Sequence, residues 1–309
     1  MFKLNIEDQS RIKLAEKLNT SETHLIKGLF GSGISLRIAN QFRTSKKNFL
    51  FSLNDAEQAA YFLNDLEHLS GEENILFFPS SKRKAYSQNN IDNSNVLQRS
   101  SVLKQISDKK QKIIVTYPEA LFEKIISKKT LKKNTLTLKK GMNISLDFIN
   151  ESLFEYGFEK VDFVSSPGDF SVRGGIIDVY SYSNQHPYRI EFFSDTINSL
   201  RTFEVKSQLS ISNIDIIDLI PNTSSILINE ERQSLIDLLP IDSVLITLNV
   251  DKIANTLDIL YKKSEESFGE LNSTVQNPPE RLFLNSVEWI NSFKNNCQCF
   301  THCKSSHND

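Results

Sequence analysis

The chain has 309 residues, enough for two or three domains with sizeable cores. Charged residues make up 24% and the formal net charge is −2, which excludes a disordered polyelectrolyte tail and a strongly basic nucleic-acid module. No opening stretch combines basic residues, an apolar run and a small-residue cleavage site, and no apolar run is long enough to span a bilayer, so the expectation is a cytoplasmic protein without a membrane partner.

From residue 23 to about 127, short apolar runs alternate with amphipathic stretches, as a parallel sheet flanked by helices requires. "THLIKGL" leads as a strand into "GLFGSGIS", residues 28–35, and "SLRIANQF" leads out as a helix. That loop has phosphate-loop spacing: Gly28, Gly31, Gly33 and Ser35 are in place, but Ile34 stands where a lysine would neutralise phosphate. It reads as a degenerate nucleotide loop. "NFLFSL", "NDAEQAAYFLNDLEHL" and "NILFFP" then give strand, helix and strand; "VLQRSSVLKQI", "KIIVTY" and "PEALFEKII" give helix, strand and a helix with Pro118 in its first turn.

Near residue 128 the texture changes. "SKKTLKKNTLTLKKG" carries six lysines, Lys128, Lys129, Lys132, Lys133, Lys139 and Lys140, and is read first as a solvated linker, with a phosphate-contacting patch as the alternative. "LDFINESLFEYGF" reads as a helix, and residues 160–205 as strands separated by "SPGD", "SNQHP" and "SD" turns. After about 210 the α/β rhythm returns in "SILIN", a helical "EERQSLIDLL", the strand "SVLITLN" and a helix through "KIANTLDILYKK". The expected fold class is therefore α/β: a RecA-like parallel sheet with helices, interrupted by an inserted α+β domain rich in antiparallel strands. The expected limits are 1–127, 128–210 and 211–309, the last with an irregular C-terminal tail.

Chemistry-bearing residues are few. Asp251 is a candidate magnesium-binding acid at the end of an apolar run, and a helix N-cap explains it equally well. Cys297, Cys299 and Cys303, with His302 and His307, match no common zinc spacing, and a frayed terminus is the simpler reading. His24, His68 and His186 pair with no nucleophile, so no catalytic residue and no metal site is expected.

"PGDFSVRGGIIDVYSYSNQHPYRIEFFSDTINSLRTFE", residues 167–204, is the most distinctive stretch. In "YRIEFF" a period of two puts Ile190 and Phe192 on a buried face and Arg189, Glu191 and Phe193 on the outer one. Phe193 is then either an interface anchor or covered by a neighbouring helix or loop. Gly174 and Gly175 read first as backbone permissiveness, and Pro167 and Gly168 as a turn.

This stretch resembles the UvrA-binding module shared by the UvrB/Mfd family of nucleotide-excision-repair helicases and transcription-repair coupling factors. "GLFGSGIS", "LFFPSSKRKAYSQ", "NVLQRSSVLKQI" and "VTYPEALFEKI" are similar to the preceding region of the coupling factors, and the likeness extends over most of residues 1–220. The lost lysine and the missing tyrosine-rich hairpin favour the N-terminal, UvrB-like module of a coupling factor over UvrB itself. The resemblance implies recruitment of UvrA through Arg173, Arg189 and Phe193, although Arg173 beside the two glycines can also be read as a brace for the backbone. It further implies that RNA polymerase and DNA are engaged by domains absent from these residues, which read as a fragment. ATP and magnesium would belong to those motor domains, with no cofactor expected here. Two other readings are an active UvrB-type ATP-dependent helicase subunit, with Lys27 supplying the lost charge, and a nucleic-acid-binding domain built on the lysine run.

Overall fold

The computed structural model describes residues 24–27, 29, 31–82, 86, 92–106, 110–222, 231–270, 277–295 and 299–303. The chain divides into two compact units, one of Met1–Ser80, Gln105–Ile125 and Arg232–Asp309, the other of Ser81–Lys104 and Ile126–Glu231.

The first unit is built on a six-stranded parallel sheet in the order His24–Lys27, Cys299–Cys303, Val244–Thr247, Phe49–Ser52, Ile113–Thr116 and Ile75–Phe77. "FLFS", "IIVT" and "VLIT" are buried along their whole length, the near-continuous burial expected of parallel strands covered on both faces. Phe49 meets Phe42 of the helix Ser32–Thr44, and Phe51 meets Phe62 of the helix Ala56–Ser70, each edge to face at 5.6 and 5.3 Å. Local chemistry sets the helix starts. Asp55 accepts the Gln58 amide at 2.9 Å, and Asn249 accepts that of Lys252 at 2.9 Å to open the helix Val250–Gly269.

The terminal segment departs from the expected irregular tail. Cys299–Cys303 is an interior strand, paired in parallel with His24–Lys27 on one side and with Val244–Thr247 on the other. Its composition hides this because a five-residue stretch that fills a gap between two strands carries no periodicity of its own. Cys297 and His307 lie outside the described residues. Among the described residues no group of His, Cys, Asp and Glu is placed to hold a metal ion, and no helix is long and apolar enough to cross a membrane.

The second unit carries a six-stranded sheet in the order Ser210–Ile214, Thr196–Phe203, Tyr188–Phe193, Ile176–Val179, Asp169–Arg173 and Glu159–Lys160. Every pairing is antiparallel except the last. One face, carrying Phe170, Ile177, Val179, Ile190 and Leu200, packs on Ile149 and Leu153 of the helix Leu146–Glu155 and on Val96 of the helix Asn93–Gln105. These strands and helices are the α+β unit inserted into the α/β one.

Its extent differs from the expected limits at both ends. The "VLQRSSVLKQI" helix joins this core through Val96, and the strands Ser210–Ile214 and Ile216–Leu219 belong to it as well, after the point where the α/β rhythm was expected to return. The lysine run is not a linker. Ser127 caps a short helix, Lys128–Lys133, by accepting the Thr130 amide at 3.2 Å, and Leu136–Lys139 pairs antiparallel with Ile216–Leu219, burying Leu138. Lys129, Lys132, Lys133, Lys139 and Lys140 stay exposed around these elements. "EERQSLIDLL" yields a helix of only Leu235–Leu238, opened by a capping box between Ser234 and Asp237, and "SILIN" lies outside the described residues.

A candidate protein interface on the outer sheet face

The side of this sheet turned away from its core is charged. Register places Ser171, Asp178, Arg189, Arg201 and Asn213 in one row across adjacent strands. The next row holds Arg173, Ile176, Glu191 and Ser199. The alternation read from "YRIEFF" holds: Tyr188 and Ile190 are buried and Phe192 packs partly buried against the core, while Arg189, Glu191 and Phe193 face outward.

Asp178 is 1% exposed, and two guanidiniums close over it. Arg189 donates Nε to Oδ1 at 2.7 Å and Nη2 to Oδ2 at 2.9 Å, a fork-on-fork pair, and its Nη1 reaches the Gln208 carbonyl at 3.2 Å. Its Cζ stands 4.5 Å from the centre of the Phe203 ring. Hydrogen bonding and charge pairing with Asp178 hold this guanidinium even more firmly protonated than usual. Arg173 donates Nη2 to the same Asp178 Oδ2, and its Cζ lies 5.2 Å from the centre of the exposed Phe163 ring. Glu191 forms a second centre, accepting from Arg201 Nη2 at 3.0 Å and Ser199 Oγ at 2.8 Å.

Phe193 stands apart from these pairs. It closes the strand Tyr188–Phe193 opposite Thr196, next to a turn in which Ser194 takes φ +54°, and it is 79% exposed. The Gly174–Gly175 turn lies at the same end of the sheet, since Phe192 N donates to the Gly175 carbonyl at 2.8 Å. A Cβ on Gly175 would sit 3.2 Å from the Phe192 carbonyl oxygen, so this glycine serves a close approach of backbones. The structure thus joins Arg173 to Arg189 through Asp178 and leaves Phe193 open at the rim. The sequence reading missed Asp178, Phe163 and the Glu191–Arg201 pair. Period two in "GGIIDVY" holds the signal for Asp178, because burying Ile177 and Val179 puts it on the outer face.

The degenerate loop has a different character. Gly31, with φ +50°, precedes the helix Ser32–Thr44 and no side chain caps it; Gly28 lies outside the described residues. Ile34 is 8% exposed and part of the core, and the buried Ser35 donates Oγ to Asp65 at 3.1 Å. At the positions of a phosphate lysine and a magnesium hydroxyl, this loop therefore offers an inward-facing hydrocarbon and a hydroxyl already engaged, which do not fit bound magnesium–ATP. Asp251 is neither strand-terminal nor a cap: Asn249 caps its helix, and Asp251 is exposed in the first turn. His68 lies in the last turn of its helix with Nδ1 2.7 Å from the Asn64 carbonyl, and His186 is an exposed residue after the Asn184 turn.

The comparisons define first a domain class. Residues 136–224 match the UvrB interaction domain family, a span that contains the whole outer-face cluster. The wider chain is similar to transcription-repair-coupling factors. It is 30% identical over 211 residues to that of Bacillus subtilis (strain 168), covering 67% of this chain and 18% of the relative. It is 31% identical over 123 residues to that of Escherichia coli (strain K12), covering 40% of this chain and 11% of the relative. With the factor of Staphylococcus aureus (strain bovine RF122 / ET3-1) it shares 28% over 207 residues, 67% of this chain and 18% of the relative. The matched region thus spans less than a fifth of these relatives' length. Residues 136–224 thus match a UvrB interaction domain, and much of the chain is similar to transcription-repair-coupling factors.

Proposed function

We propose that this chain is the part of a transcription-repair coupling factor that recruits the excision-repair protein UvrA, and that it does so through the outer sheet face of the second unit. The observation that carries the reading is Phe193: a large aromatic, 79% exposed, at the rim of a face whose arginines are fixed in place. An exposed aromatic beside oriented guanidiniums is the composition of a binding hot spot. The full-length protein would be an ATP-driven DNA translocase acting in the cytoplasm on stalled RNA polymerase, with nucleotide, DNA and polymerase engaged by other domains. The region described here takes no nucleotide, a reading supported by the burial of Ile34 and the engagement of Ser35 with Asp65.

Calorimetric titration of the chain with UvrA at low and high salt, with magnesium–ATP as a separate titrant, tests this. Saturable UvrA binding without ATP heat is expected. ATP binding without UvrA binding would move the reading to a UvrB-type nucleotide-driven subunit.

A further inference from the structure

We infer that Asp178 is a positioning residue for partner recognition: it touches no partner, but it sets the two arginines that do. The inference rests on the UvrA reading and adds to it the element that organises the face.

Asp178 is nearly inaccessible, so it cannot itself meet a macromolecule. Both of its oxygens are nevertheless spent on guanidiniums arriving from different strands, Arg189 from the facing position of the neighbouring strand and Arg173 diagonally across the Gly174–Gly175 turn. A long arginine side chain on a sheet surface has many rotamers, and ordering it at the moment of binding costs affinity. With Nε and Nη2 held on a fixed carboxylate, the plane of the Arg189 guanidinium is set before any partner arrives.

Compensation of charge is a second role. Register places Arg189 directly opposite Arg201, a repulsive cross-strand pair. Asp178 neutralises one member, and Glu191, 3.0 Å from Arg201 Nη2, neutralises the other. The Glu191–Arg201 pair is thus a second ion pair on the same face, built on a different carboxylate.

The test is a cycle of UvrA titrations and thermal unfolding on the whole chain, comparing wild type, Asp178→Asn, the Arg173→Ala/Arg189→Ala double variant, and the triple variant. Asp178→Asn removes the anchor while keeping the shape. It is expected to weaken UvrA binding about tenfold in the wild-type background and by less than about twofold in the double-arginine background. Stability should move differently. Asp178→Asn lowers the melting temperature of wild type but raises that of the double variant, where it removes a buried, unpaired charge. A purely structural Asp178 would make affinity follow stability, recovering in the triple variant, and that result would overturn the inference. So would wild-type affinity in folded Asp178→Asn while Phe193→Ala loses binding. Failure of the wild-type chain to bind UvrA would instead overturn the functional reading and, with it, this inference.

Discussion

Arg189 holds Asp178 through two parallel hydrogen bonds of 2.7 and 2.9 Å, and the carboxylate it holds is almost wholly withdrawn from water. The residue proposed to face UvrA is thus also a structural tie between the strands Tyr188–Phe193 and Ile176–Val179. Arg189→Ala removes two of the three hydrogen bonds on this buried carboxylate and leaves it with Arg173 alone, so it should cost about 2 kcal/mol of folding stability in denaturant unfolding, less than loss of both arginines. Arg189→Lys should recover only part of this, because an ammonium cannot form the paired contact. Loss of UvrA binding in Arg189→Ala is interpretable only with its unfolding curve beside it.

Phe193 gives the cleaner separation. It projects from the hairpin rim without supporting the core, so Phe193→Ala should change stability by no more than about 0.5 kcal/mol. As the anchor of the interface it should cost about 2 kcal/mol of UvrA affinity. An equal loss in both measurements would show that the ring packs on its own domain.

Restoring the missing lysine should not restore a nucleotide site. Ile34 is in the core, and its replacement by lysine buries an ammonium without a designated partner. Ile34→Lys should therefore lower stability by about 2 kcal/mol or more, in line with other buried polar insertions, and give no saturable heat with magnesium–ATP. Saturable ATP binding by this variant would show that the loop turns outward on demand.

Acid should weaken the second unit through Asp218. Burial raises the pKa of this carboxyl, but hydrogen bonds from Lys104 Nζ at 3.0 Å and Thr137 Oγ1 at 2.8 Å outweigh it and hold the group below the ordinary 3.8. A carboxylate with a lowered folded-state pKa stabilises the fold above its unfolded-state value, and that stability is lost as pH falls through the folded-state value. Denaturant midpoints measured from neutral pH downward should therefore begin to drop below about pH 4, with a shallower drop in Lys104→Met.

Much of this architecture is legible in the residues. "FLFS", "IIVT" and "VLIT" announce buried parallel strands by being apolar throughout, and "YRIEFF" announces its two faces by alternation. What escapes is whatever depends on a partner distant in sequence. Nothing local to Asp178 says that Arg189 will stand opposite it, since that requires the register of two strands. Cys299–Cys303 becomes a strand because a slot exists between His24–Lys27 and Val244–Thr247. The lysine run reads as a linker because its core-packed leucines, Leu136 and Leu138, are interspersed with lysines and threonines and form too short a run to announce a strand. At the loop, by contrast, an isoleucine where a phosphate lysine would stand is visible in the residues themselves, and Ile34 lies in the core.

Hydrogen exchange of the chain with and without UvrA reports where the partner sits. Slowed exchange is expected at the Gly174–Gly175 turn and the Tyr188–Phe203 hairpin, both at the outer face, and nowhere else. Protection centred instead on Lys128–Lys140, or on the helix Ser32–Thr44, with the hairpin unchanged, would contradict UvrA recruitment through the outer face.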